Sequence, residues 1–273
     1  MPIFFKNVRV AISGQNIMAQ SASIDEQNSL VPIFALGYKK NNGTSPSGPI
    51  KNSFNISYTL ETNKEPNFGA INNLKNYVES SFPLQIVVAN ITGAGYLTNY
   101  SFSIEPNNVI KVNSAYDIYT PLTGIVANQA LSAPNSYNLS NGSGVGHYWS
   151  TVAKSYDSTQ TGAVLQMSYD FNINWQPIYK IGSPYPIEVK FLNATEEFSF
   201  VSEYEKRITN TGENFKSQFS DFDIIQINPL SSTWESSASS ITLFPCSGKI
   251  ISNKINISED SLILQETSVI KYY

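Results

Sequence analysis

The sequence predicts an all-β protein of two tandem units. Two observations predict it: apolar residues recur at every second position, and one block of sequence occurs twice. Side chains of a strand point alternately to opposite faces, so period-two alternation marks a strand with one buried and one wet face.

In chain order, Val8 to Ile12 alternates and Gly14 ends the run. Phe54, Ile56, Tyr58 and Leu60 then alternate with Ser53, Asn55, Ser57 and Thr59. Leu84 to Ala89 reads as a more buried strand. Leu97 to Ile104 and Val109 to Val112 read as a hairpin around Glu105-Pro106-Asn107-Asn108. Proline fixes φ there and asparagine tolerates the left-handed region. Ile187 to Phe191, Phe198 to Val201, Phe222 to Ile227, Ile250 to Ile257, Leu262 to Leu264 and Val269 to Tyr273 continue the strand pattern. One helix is predicted over 69–80, because Ile71, Leu74 and Val78 share a helical face while Asn, Lys and Glu fill the other. A second short helix is predicted over Val201 to Arg207.

The repeat aligns residues 23–37 (SIDEQNSLVPIFALG) with 168–182 (SYDFNINWQPIYKIG) without gaps, at an offset of 145. Ser23/Ser168, Asp25/Asp170, Pro32/Pro177, Ile33/Ile178 and Gly37/Gly182 are identical, and Phe34/Tyr179 is conservative. The core motif of the repeat is therefore Pro32, Ile33, Phe34 and Gly37 in one copy and Pro177, Ile178, Tyr179 and Gly182 in the other. Phe54 and Ile56 then correspond to Phe198 and Phe200. Near each end, Gly95 to Ile104 with Tyr119 parallels Gly248 to Ile257 with Tyr272. The same order of matches in both halves predicts tandem duplication, with units over 1–124 and 163–273. Residues 125–162, rich in Asn, Ser, Gly and Thr, read as a polar linker or inserted loop. The copies differ after the motif: a long polar loop follows Gly37, whereas Gly182-Ser183-Pro184-Tyr185-Pro186 is short.

Charged residues make up 14% of the 273-residue chain, against roughly 25% in an average soluble domain. A surface short of charge and rich in small polar groups can be covered by copies of itself without stranding ions. The net charge is −4. No basic run exceeds Lys39-Lys40, which argues against a protein that grips phosphates. One cysteine, Cys246, excludes a disulfide within the chain, and one histidine, His147, leaves no Cys/His metal motif. The N-terminal sequence predicts no secretion signal, and no apolar run is long enough for a membrane helix.

Enzymatic motifs are absent. Neither a Walker loop nor G-x-G-x-x-G occurs, and no calcium-loop spacing is found. The carboxylate pairs Asp25-Glu26, Glu196-Glu197 and Asp221/Asp223 are expected to be solvated strand faces or contacts between subunits rather than acid–base pairs. Trp175 occupies the position of Leu30 and is expected in the core. Trp149 and Trp234 keep a glycan-binding β-sandwich open as an alternative. No catalytic residue, cofactor or metal is expected.

The run from Ala22-Ser23-Ile24-Asp25 to Pro32-Ile33-Phe34-Ala35-Leu36-Gly37, followed by Gly48 to Tyr58, resembles the opening of a bacteriophage tail-tube (major tail) protein. The helix over 69–80 and the closing hairpin fit the same family. The likeness covers each repeat, hence most of the chain, as pattern rather than signature. It implies two tandem tail-tube-like β-sandwich or barrel domains, with a short helix in at least the first. Their inner strands would join neighbours into a continuous tube. It implies a homo-oligomer, with a trimeric pseudo-hexameric ring favoured over a hexamer, contacts to other tail proteins, and DNA passing through without sequence-specific binding. It places the protein in the virion after synthesis in the host cytoplasm. The loop Tyr38, Lys39, Lys40, Asn41, Asn42, Gly43, Thr44, Ser45, Pro46 and Ser47 takes the role of an arm reaching the adjacent ring. The second copy lacks that loop, which implies unequal stacking contacts. A neck, terminator or baseplate ring, or a capsid decoration protein, is the alternative virion role.

Overall fold

The computed structural model describes residues 9–17, 19–27, 30–33, 43–46, 48–59, 83–105, 111–125, 147–151, 164–203, 214–216, 222–228, 233–236, 247–257 and 263–273. The described residues form an all-β structure. The strands are β1 (Val10–Ile12), β2 (Gln15–Asn16), β3 (Ala19–Gln27), β4 (Leu30–Pro32), β5 (Thr44–Pro46), β6 (Lys51–Thr59), β7 (Leu84–Val88), β8 (Ile91–Ile104) and β9 (Lys111–Ile118). They continue with β10 (His147–Thr151), β11 (Val164–Ile178), β12 (Glu188–Glu203), β13 (Asn214–Lys216), β14 (Phe222–Asn228), β15 (Thr233–Ser236), β16 (Ser247–Asn256) and β17 (Leu264–Tyr272).

Twelve of these strands share one sheet, with β10, β14 and β15 in a second and β4 and β5 in a third. Every pairing is antiparallel. Two tight turns explain the first hairpins. Ser13 and Gly14 both take positive φ between β1 and β2, as do Ala89 and Asn90 between β7 and β8. That backbone twist matches the twist of the flanking strands.

The alternation seen in sequence becomes burial. Phe54, Ile56 and Tyr58 of β6 are almost completely buried, as are Phe102 and Tyr100 of β8, Val112 and Tyr116 of β9, and Met167, Tyr169 and Phe171 of β11. They join Phe198 and Phe200 in a single apolar cluster that draws on both halves of the chain. Gly95 is required where β7, β8 and β9 meet. A Cβ there would lie 2.7 Å from the Ile86 side chain and 3.0 Å from Tyr116.

Several expectations differ from the structure. The helix predicted over 69–80 lies outside the described residues, as do Phe34, Gly37, Tyr38 to Asn42 and Ser47. The helix predicted over Val201 to Arg207 is corrected in its described part: Val201 to Glu203 are the end of β12, paired with Glu266, Gln265 and Leu264 of β17. That pairing satisfies backbone groups that a helix would have had to satisfy locally. Within the span read as linker, His147 to Thr151 form β10, paired with β14. The run predicted over Ile187 to Phe191, from Glu188 onward, and the run Phe198 to Val201 are one long strand, β12. A register shift between Asn174 and Trp175 of its partner carries β12 through the polar stretch between them. The repeat motif is not where the core lies: Pro32 and Ile33 are exposed, Gly182 is exposed, and Pro177, Ile178 and Tyr179 are only partly buried. The core comes instead from the alternating residues before and after the motif. Trp175 is buried, as expected, at 8% exposure.

Candidate functional site: a seam between like ladders and two outer margins

Four strands of each half follow the same order. In the first half β3 pairs β6, β6 pairs β9 and β9 pairs β8. In the second half β11 pairs β12, β12 pairs β17 and β17 pairs β16. The registers coincide residue by residue. Ile24 faces Phe54, and Tyr169 faces Phe198. Phe54 faces Tyr116, and Phe198 faces Val269. Leu97 faces Tyr116, and Ile250 faces Val269.

The irregularities coincide as well. One register shift falls between Ala19 and Ser21 in β3 and between Val164 and Gln166 in β11. Another falls between Leu97 and Asn99 in β8 and between Ile250 and Ser252 in β16. A bulge adds a residue to one strand and re-aims every side chain beyond it, so its position is a specific feature of a ladder. Buried polar residues also match. Asn52 of β6 and Glu196 of β12 occupy the same ladder position, at 5% and 6% exposure. Ser114 of β9 and Thr267 of β17, likewise equivalent, each bury a hydroxyl that has no hydrogen-bond partner among the described residues.

The two ladders are joined directly. β8 holds β9 along one edge. Along its other edge it holds β7 with Ile91 to Gly95 and β11 with Asn99 to Ile104. The last strand of the first ladder thus pairs with the first strand of the second. At this seam Phe102 faces Tyr169, and their rings stack at 5.1 Å with 22° between planes. Trp175 reinforces it from the second half, its indole N–H donating to the Leu97 carbonyl at 2.8 Å. Tyr96 packs against the same indole at 5.1 Å.

The opposite face of the seam is wet. Asn99 donates through Nδ2 to Asp170 at 3.3 Å and to Asn172 at 2.8 Å, and Asn172 donates to Asp170. Ser101, Ser103, Ser168, Asp170, Glu197 and Ser199 line an open hollow of about 350 Å³ on this face. It is a shallow, hydroxyl-rich, mildly acidic surface. Farther along, Asp117 accepts from Lys51 at 2.9 Å and from the Tyr119 hydroxyl at 3.2 Å. Burial, then the Asp117 carboxylate, hold the Tyr119 hydroxyl well above its ordinary pKa.

Glu196 and Glu197 cannot act together, and Glu196 is not on the solvated face expected of it. Adjacent strand residues point to opposite faces. Glu196 is buried, where the hydroxyls of Tyr169 and Tyr273 donate to it at 3.2 and 2.6 Å. Glu197 lies on the wet face. Among the described residues no three His, Cys, Asp or Glu side chains gather as a metal site. No helix among them is long and apolar enough to cross a membrane.

Each ladder also has an outer margin. Among the described strands, β3 pairs only with β6. β16 pairs with β17 and, over Ser247 to Lys249, with β13, so its length from Ser252 onward has one described neighbour. In the candidate arm, Thr44 to Pro46 form β5 against β4. That hairpin leaves Leu30, Val31 and Ile33 about half exposed.

No protein-family model matches the sequence, and no curated protein is similar to it.

Proposed function

We propose that the chain is a structural protein of the virion, a tail-tube subunit whose stacked rings form the DNA-conducting channel of a long-tailed bacteriophage. The reading rests on the seam between β8 and β11. That seam joins two ladders of matching register head to tail, and head-to-tail joining closes into rings where the rotation between units allows it. In this reading the chain carries two copies of one β unit, and three chains make a ring of six units. A hexamer of chains is the alternative.

The wet face lines the channel in this account. Small hydroxyls and a mild excess of carboxylate offer DNA little to bind, and like charge repels its phosphates. The strand that pairs with the described part of the arm supports stacking, because Leu30 and Val31, with Ile33 just after them, present apolar surface that a neighbouring ring would cover. Purified protein examined by electron microscopy and sedimentation at rising concentration is expected to form rings or tubes. A species that stays monomeric at high concentration contradicts the proposal. Copy number in purified particles separates a tube from a neck ring or a capsid decoration protein.

A further inference from the structure

The internal seam predicts what should lie on the outer margins, because the ladders flanking it are in phase. In β11 the backbone groups directed away from β12 are the ones that bond β8. β3 has the same register against β6, bulge included. Its outward groups therefore fall at the corresponding residues. β16 stands to β17 as β8 stands to β9, again with the bulge in place. The donors and acceptors of the two outer margins are thus spaced to meet each other as β11 meets β8.

We infer that β16 of one copy of this chain pairs antiparallel with β3 of the next, with Ile24 opposite Ile255 and Asp25 opposite Lys254. Carrying the internal seam across fixes the whole register. Tyr169 opposite Phe102 becomes Ile24 opposite Ile255, and Asp170 opposite Ser101 becomes Asp25 opposite Lys254. Met167 opposite Ile104 becomes Ala22 opposite Ile257. This inference deepens the tube reading and rests on it for the identity of the assembly.

Side-chain chemistry supports the occupant. At the internal seam, Tyr169 and Phe102 are 3% and 4% exposed, whereas Ile255 is 37% exposed and Ile257 75%. The margin keeps apolar residues where the seam has its stacked rings. Charge is complementary too. β3 carries Asp25 and Glu26 and no base, while β16 carries Lys249 and Lys254 and no acid. Edge strands are often guarded by charge against self-pairing. Guards of one sign on both margins would do that, whereas opposite signs at facing positions favour the pairing. Lys254 stands opposite Glu266 of β17, but among the described residues no ion pair joins them.

Ladder partners have Cα atoms about 4.5–5.5 Å apart, within disulfide reach of about 4.4–6.8 Å. In a Cys246→Ser background, Asp25→Cys and Lys254→Cys chains are mixed, allowed to assemble and oxidised. A covalent dimer is expected. Glu26→Cys mixed with Lys254→Cys is expected to give none, because adjacent strand residues face opposite ways. Separately, Asp25→Lys or Lys254→Asp alone is expected to raise the concentration needed for assembly at least about tenfold, and the double exchange to restore it. Rings that form without the Asp25/Lys254 crosslink, or that crosslink Glu26 as readily, overturn this register and leave the tube reading standing. Absence of both assembly and crosslink overturns the two together.

Discussion

The internal seam and the outer margins occupy equivalent places on equivalent ladders, yet they are furnished differently. Where β8 meets β11, the core-side pair Phe102 and Tyr169 is stacked and sealed from water, and on the wet side Asp170 faces Ser101. At the corresponding places on β3 and β16 stand isoleucines and opposite charges. In the proposed assembly, the difference follows from what each edge does beforehand. A seam within one chain is never parted, so it can carry large apolar rings without exposing them. A margin that waits for another molecule must stay soluble while it waits. Exposed aromatic edges would pair indiscriminately. Medium-sized apolar residues framed by charge limit that hazard and still select a partner.

The comparison is broken most severely from inside. Tyr169→Ala removes one of the stacked rings and leaves a cavity in the shared core. It is expected to cost about 3–5 kcal/mol, the range for truncating a buried aromatic, read by urea unfolding of the chain. Ile255→Ser removes apolar surface at the equivalent margin. It is expected to change unfolding by no more than about 0.5 kcal/mol while impairing assembly. Equal effects of both on unfolding would mean that the margin is already part of the chain's own core.

The smallest expected effect concerns pH. Burial first, then Asp117 and the hydroxyls of Tyr179 and Tyr96, raise the Tyr119 hydroxyl above its ordinary 10.0. Folding therefore favours its protonated form. The contribution is complete below pH 10.0 and is lost as pH rises through the folded value. The denaturation midpoint is expected to fall above that pH, and Tyr119→Phe to flatten the fall. An unchanged slope in the variant would show that other groups carry it.

Much of this ladder structure was legible in the sequence, because alternation and burial share one period. Phe54, Ile56 and Tyr58 announced a half-buried strand, and they are buried in β6. The correspondence of Phe54 with Phe198 falls at matching ladder positions in the two halves. What the sequence hid is long-range. Nothing in Asn99 to Ile104 says that its partner lies some seventy residues on at 167–172, since pairing depends on loop closure and packing rather than local pattern. The motif misled for a related reason. Pro32 and Ile33 look like core residues, but β4 leaves the main sheet to pair with β5. At the equivalent point β11 runs on to Ile178 against β12, so one motif serves two local architectures. For Glu196 and Glu197 parity decides: the alternation that buries Glu196 turns Glu197 to water.

The most direct test is the rotational symmetry of the assembled particle, measured by electron microscopy of rings or tubes from the unmodified chain. Threefold symmetry with six similar wall segments per ring is the expected result: three segments' seams would lie within chains and three between them. A ring whose wall segments alternate between unrelated shapes, or a symmetry that leaves β3 and β16 of neighbouring chains apart, would contradict the account.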